Sequence, residues 1–328
     1  LFVFSLFFYA WGEPKYVFLM LFSITMDYFV GKAIDRAKTR GNMRKAKRCL
    51  LVSIIVNLSI LGFFKYADFL IGSLNAVTGL AIPLLNIPLP IGISFFTFQT
   101  MSYTIDVYKG TTKVQKNWIY YGTYVSMFPQ LIAGPIVQYK TIAEQMEHRR
   151  ENTDDFTAGI SRFMCGVGKK VLLANNIGLL WDSVAALPIG QVPALTAWLG
   201  ALAFTFQIYF DFYGYSDMAI GLGKMFGFHF LENFEYPYKA KSITEFWRRW
   251  HISLSSWFKE YVYIPLGGNR CSVPKQVRNI AVVWLLTGVW HGASWNYVLW
   301  GVYYGILLLI EKFALRIVLS KLPSFVQS

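Results

Sequence analysis

Charge is what this sequence has least of. Only 15% of its 328 residues are Asp, Glu, Lys or Arg, where a soluble globular domain carries about a quarter. Hydrophobic residues make up 55% and aromatics 18%, and the mean hydropathy is +0.40. A water-soluble domain is excluded, and the composition is that of a polytopic membrane protein. Acids are scarcer than bases, 18 against 31, for a net charge of +13. In a soluble protein that excess would suggest nucleic acid. Here the basic residues fall in short stretches between apolar runs, which is the positive-inside pattern, so a nucleic-acid partner is excluded and a lipid bilayer is implied. Cysteine is equally sparse: Cys49, Cys165 and Cys271 have no CxxC spacing and no histidine cluster beside them. Neither a disulfide framework nor a metal site is suggested.

Internal repeats, low-complexity tracts and paired Gly/Pro-broken halves are also missing, and the last of these counts against a secondary carrier. The chain opens on LFVFSLFFYAW without an initiator Met or a basic n-region, so it reads as a segment of a longer protein.

A bilayer core of about 30 Å needs about 20 helical residues, and that ruler divides what is present. Leu1 to Trp11 and Tyr16 to Val30 are apolar pieces split by GEPK. A loop from Gly31 to Arg48 follows, with eight basic residues against the single acid Asp35, and it is expected to be cytoplasmic. Cys49 to Ile71 crosses, Gly72 to Pro90 lies outside, and Ile91 to Val107 returns. Trp118 to Val137 is broken by Pro129 and by Gly134-Pro135, so a re-entrant element and an ordinary proline-kinked span both stand. Gly166 to Leu187 leaves Lys169-Lys170 inside, and Trp198 to Leu222 returns carrying Asp211 and Asp217. Gly223 to Arg278 is aromatic and basic but never apolar for 20 residues, and it is placed on or in the cytoplasmic face.

Within that stretch, SITEFWRRWHISLSSWFKEY begins with a capping box, Ser242 and Glu245. The spacing predicts one amphipathic helix from Ser242 to Tyr261, with Trp247, Trp250, Leu254, Trp257, Phe258 and Tyr261 on one face and His251 at its edge. Two uses are compatible with it. It can anchor at the interface, or it can lie against the bundle, offer His251 to an internal site and present Arg248 and Arg249 to an anionic ligand.

The run Asn279 to Ile310 is 32 residues, about 48 Å as one helix, so it must tilt or break. Gly288 and Gly292 are the weak points. As a hairpin or as a kinked span, it buries His291 near the midplane, and an ionisable residue at that depth is a functional hypothesis by default. A neutral imidazole there can accept a proton, as a general base must. Trp290 and Trp295 are expected to wall it. Asp211 and Asp217, in QIYFDFYGYSDMAIG with Tyr215 between them, are expected to be buried, partnered and structural, orienting a histidine at most.

AGPIVQYKTI, QIYFDFYGYSDMAIG, ENFEYPYKAKSITEFWRRWHISLSSWFKEYVYIPLGGNR and GVWHGASWNYVLWG together resemble the membrane-bound O-acyltransferase family. The similarity runs through nearly the whole chain and is nearest to the bacterial alginate, polysaccharide and peptidoglycan O-acetyltransferase branch; the D-alanyl transferase branch shares the fold and the WxRWH pattern. The resemblance implies an all-α membrane domain over 1–328, incomplete at both ends, with a ring of transmembrane helices and re-entrant or interfacial helices around a central cavity. It matches His291 to the family's intramembrane histidine and His251 to a second position, His or Asn. Gln138 stands where the branch usually has Arg.

On that resemblance the expected activity is acetyl transfer from a cytoplasmic thioester, acetyl-CoA, to a hydroxyl used in extracytoplasmic polysaccharide acetylation, in a bacterial inner membrane. His291 would be the base or a transient acetyl carrier, and His251 would polarise the thioester carbonyl. Arg248, Arg249, Trp250, Trp290 and Trp295 would bind substrate. A thioester is already activated, so no metal or further cofactor is expected. The expected partners are the donor, a polysaccharide and an acetyl-accepting protein outside the membrane. The competing class is a proton-coupled transporter or flippase using the same buried His and Asp residues.

Overall fold

The computed structural model describes residues 1–132 and 134–315; Ala133, Arg316 and Lys321 lie outside the described residues. Among these there are helices and no strand. The α-helices in order are α1 Phe2–Gly12, α2 Val17–Thr39, α3 Met43–Thr78, α4 Ile93–Lys109, α5 Trp118–Ser126, α6 Phe128–Leu131 and α7 Tyr139–His148, then α8 Thr153–Gly168, α9 Asn175–Ala185, α10 Ala194–Met225, α11 Ile243–Arg249, α12 Ile252–Phe258, α13 Val273–His291 and α14 Trp295–Ile310. Among the described residues, three helical stretches are long and apolar enough to cross a membrane: Val17–Thr39, Met43–Thr78 and Trp295–Leu315. Large side chains such as Phe4, Trp11, Leu70 and Trp198 are exposed, as they are on a surface that faces lipid.

The basic stretch expected to be a loop is mostly helical. Ala, Lys and Arg are good helix formers, so α2 runs on to Thr39, and only Arg40 to Asn42 turn before Asn42 caps α3 by accepting from the Lys45 N–H at 2.9 Å. The region from Trp118 to Val137 does not form an ordinary kinked span. α5 has nine residues and α6 four, with Met127 between them outside the helix, far short of the 20 or so that a span needs.

The chain folds as two compact units. The first holds Leu1–Ser126, Gln138–Lys140 and the chain from Phe234 on. Its interior is α4, which packs on α2 and α3. α4 is rich in hydroxyls yet largely buried, because Thr100, Ser102 and Thr104 bond back to carbonyls three or four residues earlier. Asp27 is fully buried there and accepts from Ser53 Oγ and from Asn57 Nδ2 at 2.7 Å.

In the same unit, α13 and α14 form an antiparallel hairpin, resolving the tilt-or-break alternative toward a break. The chain opens at Gly292 to Ser294, directly after His291. Gly288 stays helical and has a different use: Gly288 and Gly301 face each other so closely that a Cβ on Gly288 would lie 3.0 Å from the Gly301 Cα and collide with the Tyr297 carbonyl. Close glycine crossings of this kind let helix backbones meet where lipid gives no hydrophobic drive.

The second unit holds Met127–Val137 and Thr141–Asn233. Its spine is α8 against α10, with Gly159 opposite Gly221 and Gly166 opposite Gly214. α8 continues into α9 through a π-helical turn, Lys169–Ala174. Lys169 and Lys170 therefore sit inside a helix rather than in a loop. Asp217 accepts from Arg162 at 2.7 Å and from Lys169, and Asp211 accepts from Lys170. Asp217 is buried as expected, whereas Asp211 is half-buried. The ion pairs of both are with Arg and Lys rather than His, because the helix facing them supplies cations at the matching height. Tyr215 is 42% exposed beside Lys170.

Gly288→Leu should lower the thermal midpoint of the detergent-solubilised protein by an amount corresponding to about 1–3 kcal/mol of overpacking. Gly72→Ala, where added atoms meet open space, should leave it unchanged or raise it. Fluorescence-detected gel filtration after heating measures both.

Candidate active site

The expected continuous helix from Ser242 to Tyr261 is broken at the histidine. α11 keeps its Ser242 N-cap, with the Glu245 N–H donating to Ser242 Oγ at 3.0 Å, while the Glu245 carboxylate accepts from the Lys241 N–H one residue earlier at 2.9 Å, and it ends at Arg249. Trp250 is extended, and His251 adopts φ 45° and ψ 55° before α12 begins. A left-handed conformation costs a non-glycine residue about 1–2 kcal/mol, so the surroundings must impose it. They do so on both sides. Ser255 Oγ on α12 donates to the Trp247 carbonyl on α11 at 3.1 Å, satisfying a carbonyl that the break frees. Downstream, Trp257 stacks on Phe98 of α4 with centroids 3.8 Å apart and donates its Nε1–H to the Phe98 carbonyl at 3.0 Å. Tyr261 donates to Asp106 Oδ2 at 2.7 Å. The aromatic face is thus packed within the unit, which favours the second of the two uses that the sequence allows for this segment.

The break leaves His251 3% exposed, with Ser253 Oγ 3.4 Å from its Nδ1. It lies in a connection between short helices, outside the membrane-spanning stretches. Burial, and then the neighbouring His291, push its pKa from 6.5 down to about 3, so the imidazole is neutral near pH 7.

His291 is the last residue of α13. Its ring lies 4.9 Å from Trp300 and 5.1 Å from Trp290 by centroid, and Trp290 lies 6.1 Å from His251. His291 is half-buried rather than buried, because it faces a cavity of about 300 Å³. His251 lines the same cavity. Its other walls are largely aromatic and aliphatic, including Trp247, Trp250 and Trp284. Three cations, Arg248, Lys259 and Lys312, also line it, and among the described residues no acid does. Glu311, next to Lys312, is buried and accepts from the Thr244 N–H at 3.0 Å, which holds the start of α11. Among the described residues, His, Cys, Asp and Glu nowhere gather in groups of three that could hold a metal ion.

The family model described as MBOAT, membrane-bound O-acyltransferase family, matches residues 112–325. The chain belongs to this family. A probable alginate O-acetylase of Pseudomonas aeruginosa is 48% identical over 310 residues, covering 93% of this chain and 59% of the relative. A second probable alginate O-acetylase, from Azotobacter vinelandii, is 46% identical over 94% of this chain and 62% of its own length. A peptidoglycan O-acetyltransferase of Helicobacter pylori is 39% identical over 94% of this chain and 63% of its own. The chain thus spans about three-fifths of the length of these curated relatives. The family match includes every residue from Thr244 to Lys312 that lines the cavity.

Some expected site residues stand elsewhere. Arg249 does not line the cavity. Its guanidinium pairs with Glu245 at 2.9 Å and donates to the Glu235 carbonyl at 3.1 Å, because the extended Trp250 ends α11 with Arg249 on the side of that neighbouring segment of chain. Hydrogen bonding from the Lys241 N–H, and then from Arg249, holds Glu245 below the ordinary carboxylate range. Trp295 is 59% exposed and packs on Phe69 rather than walling the cavity, since it opens α14 beyond the hairpin turn. Trp290 packs near both imidazoles without lining the cavity itself. Lys259 and Lys312 line the cavity although the sequence does not single them out. Each is legible only as a basic residue beside an apolar face, and their convergence needs the hairpin and the break.

The depressed His251 value has a sign. Between about 3 and 6.5 the unfolded chain binds a proton that the folded protein refuses, so stability falls as the pH drops below about 6.5. At pH 5 the loss is about 2 kcal/mol from this residue. His251→Asn, which tolerates the same backbone, should lose less thermal stability between pH 7 and pH 5 than the parent protein.

Proposed function

We propose that the protein transfers an acetyl group from a thioester donor, acetyl-CoA, to a hydroxyl acceptor used in the acetylation of an extracytoplasmic polysaccharide. The observation that carries this reading is the shared cavity: two histidines line one space together with three cations and, among the described residues, no acid. The cations suit the anionic phosphates of the donor. The apolar aromatic walls suit an acetyl group and exclude water, which would otherwise hydrolyse the thioester.

His291 acts as the general base. As the acceptor oxygen attacks the thioester carbonyl carbon, its proton passes to the imidazole; the C–S bond then breaks, and the leaving thiolate recovers that proton. His251, neutral near pH 7, donates its single N–H to the carbonyl oxygen as negative charge develops there. The strained backbone that aims it is the kind of cost retained where a site must be pre-organised. The donor enters from the cytoplasmic side, where the basic residues collect, and the protein lies in the bacterial inner membrane. The acceptor is a polysaccharide of the alginate type, or a partner protein that carries the acetyl group onward; one relative's peptidoglycan name marks the range of acceptors.

The test uses the full-length protein in lipid nanodiscs with labelled acetyl-CoA and a polysaccharide acceptor. His291→Ala should lower transfer by a factor on the order of 10² to 10⁴. Arg248→Met should raise KM for the donor about tenfold while kcat changes little, removing a charge-assisted contact. Undiminished transfer by His291→Ala would overturn the assignment. Vectorial movement of a solute without consumption of thioester would favour the carrier class.

A further inference from the structure

α13 ends at His291, and the last carbonyls of any helix lack a partner within it. Two consecutive residues of α3 take them. Lys65 Nζ donates to the Trp290 carbonyl, and the Tyr66 hydroxyl donates to the Val289 carbonyl at 2.6 Å. The Lys65 ammonium also reaches Ser94 Oγ at 3.3 Å and lies 5.5 Å from the Trp290 ring centroid.

α3 is one of the stretches apolar enough to cross a membrane, and a lysine within such a helix is expensive unless it is compensated. No acid compensates it: Lys65 makes no ion pair among the described residues. The nearest acid in sequence, Asp68, is occupied by the backbone N–H groups of Leu85 and Asn86 at 2.7 and 3.0 Å. What Lys65 faces instead is the negative end of α13. A cation placed at the carbonyl next to His291 fixes the end of that helix and the χ1 axis from which the imidazole projects.

From this geometry we infer that Lys65 is a positioning residue for His291, holding the carbonyl end of α13 so that the imidazole points into the cavity. Lys65 lies upstream of the residues that match the family model, so α3 reaches across to complete the site. The inference rests on the reading of His291 as the base, and the experiment separates the two. Tyr66 serves the same helix end one carbonyl earlier, which makes Lys65 the residue nearer the imidazole.

The experiment compares Lys65→Met and Lys65→Arg in the full-length protein in nanodiscs. It reads kcat, donor KM and the rate of diethyl pyrocarbonate modification of His291, resolved by peptide mass spectrometry against the exposed His229. Lys65→Met should lower kcat about ten- to a hundredfold, as expected for a misplaced reacting group, with donor KM within about twofold, and should change the His291 modification rate relative to His229. Lys65→Arg should recover most of both. If Lys65→Met yields no folded protein, Lys65→Gln, which keeps a donor but removes the charge, should show the same relative change in modification. Unchanged kcat and unchanged His291 modification in Lys65→Met or Lys65→Gln would overturn the inference, as would a kcat loss that Lys65→Arg fails to recover. Should His291→Ala retain full transfer, the base assignment fails instead, and the modification rates still report on the positioning.

Discussion

A helix that breaks inside a packed protein frees backbone groups that are shut off from water, and each must find a partner within the chain. Both breaks that build this site obey that constraint. At the first, between α11 and α12, Ser255 Oγ takes the Trp247 carbonyl. At the second, after His291, Lys65 and Tyr66 take the carbonyls of Trp290 and Val289. The start of α11 is held by Glu311. Most of these partners come from distant parts of the chain, so the breaks persist only while the rest of the first unit is assembled.

The chemistry follows from where the breaks fall. Each puts a histidine at the discontinuity, where a side chain can leave the face that a regular helix would assign to it. His251 takes a left-handed backbone and lines the cavity from one wall; His291 ends a helix and lines it from another. The aromatic packing of Trp257 on Phe98 fixes the first wall to α4, and the Gly288 and Gly301 contact fixes the second to α14. Three cations then line the cavity and, among the described residues, no acid does, which gives the space a sign as well as a shape.

Much of this was legible in the sequence, and the failures have physical causes. Length against bilayer thickness required the run from Asn279 to Ile310 to tilt or break and named Gly288 and Gly292 as weak points; the break falls at Gly292, while Gly288 stays helical. The capping box at Ser242 and Glu245 marked the start of α11 correctly. Periodicity then carried the helix through His251, since nothing in WRRWHISL is a glycine or proline; the break is held by the Ser255 bond to the Trp247 carbonyl and by the packing of α12 on α4. Periodicity also could not separate Arg248 from Arg249, neighbours in sequence of which one lines the cavity and the other pairs with Glu245. Asp211 and Asp217 were expected to be partnered, but two of their cations come from a π-helical turn that no local pattern announced. Lys65 is one isolated charge inside an apolar run in the sequence, and only the fold sets it against the end of α13.

If the two imidazoles flank a single thioester, cryo-electron microscopy of the full-length protein with a thioether analogue of acetyl-CoA shows it most directly. The analogue's carbonyl should lie between His251 and His291, with its phosphates toward Arg248, Lys259 and Lys312. A donor bound elsewhere, or a carbonyl in reach of neither histidine, would contradict that arrangement.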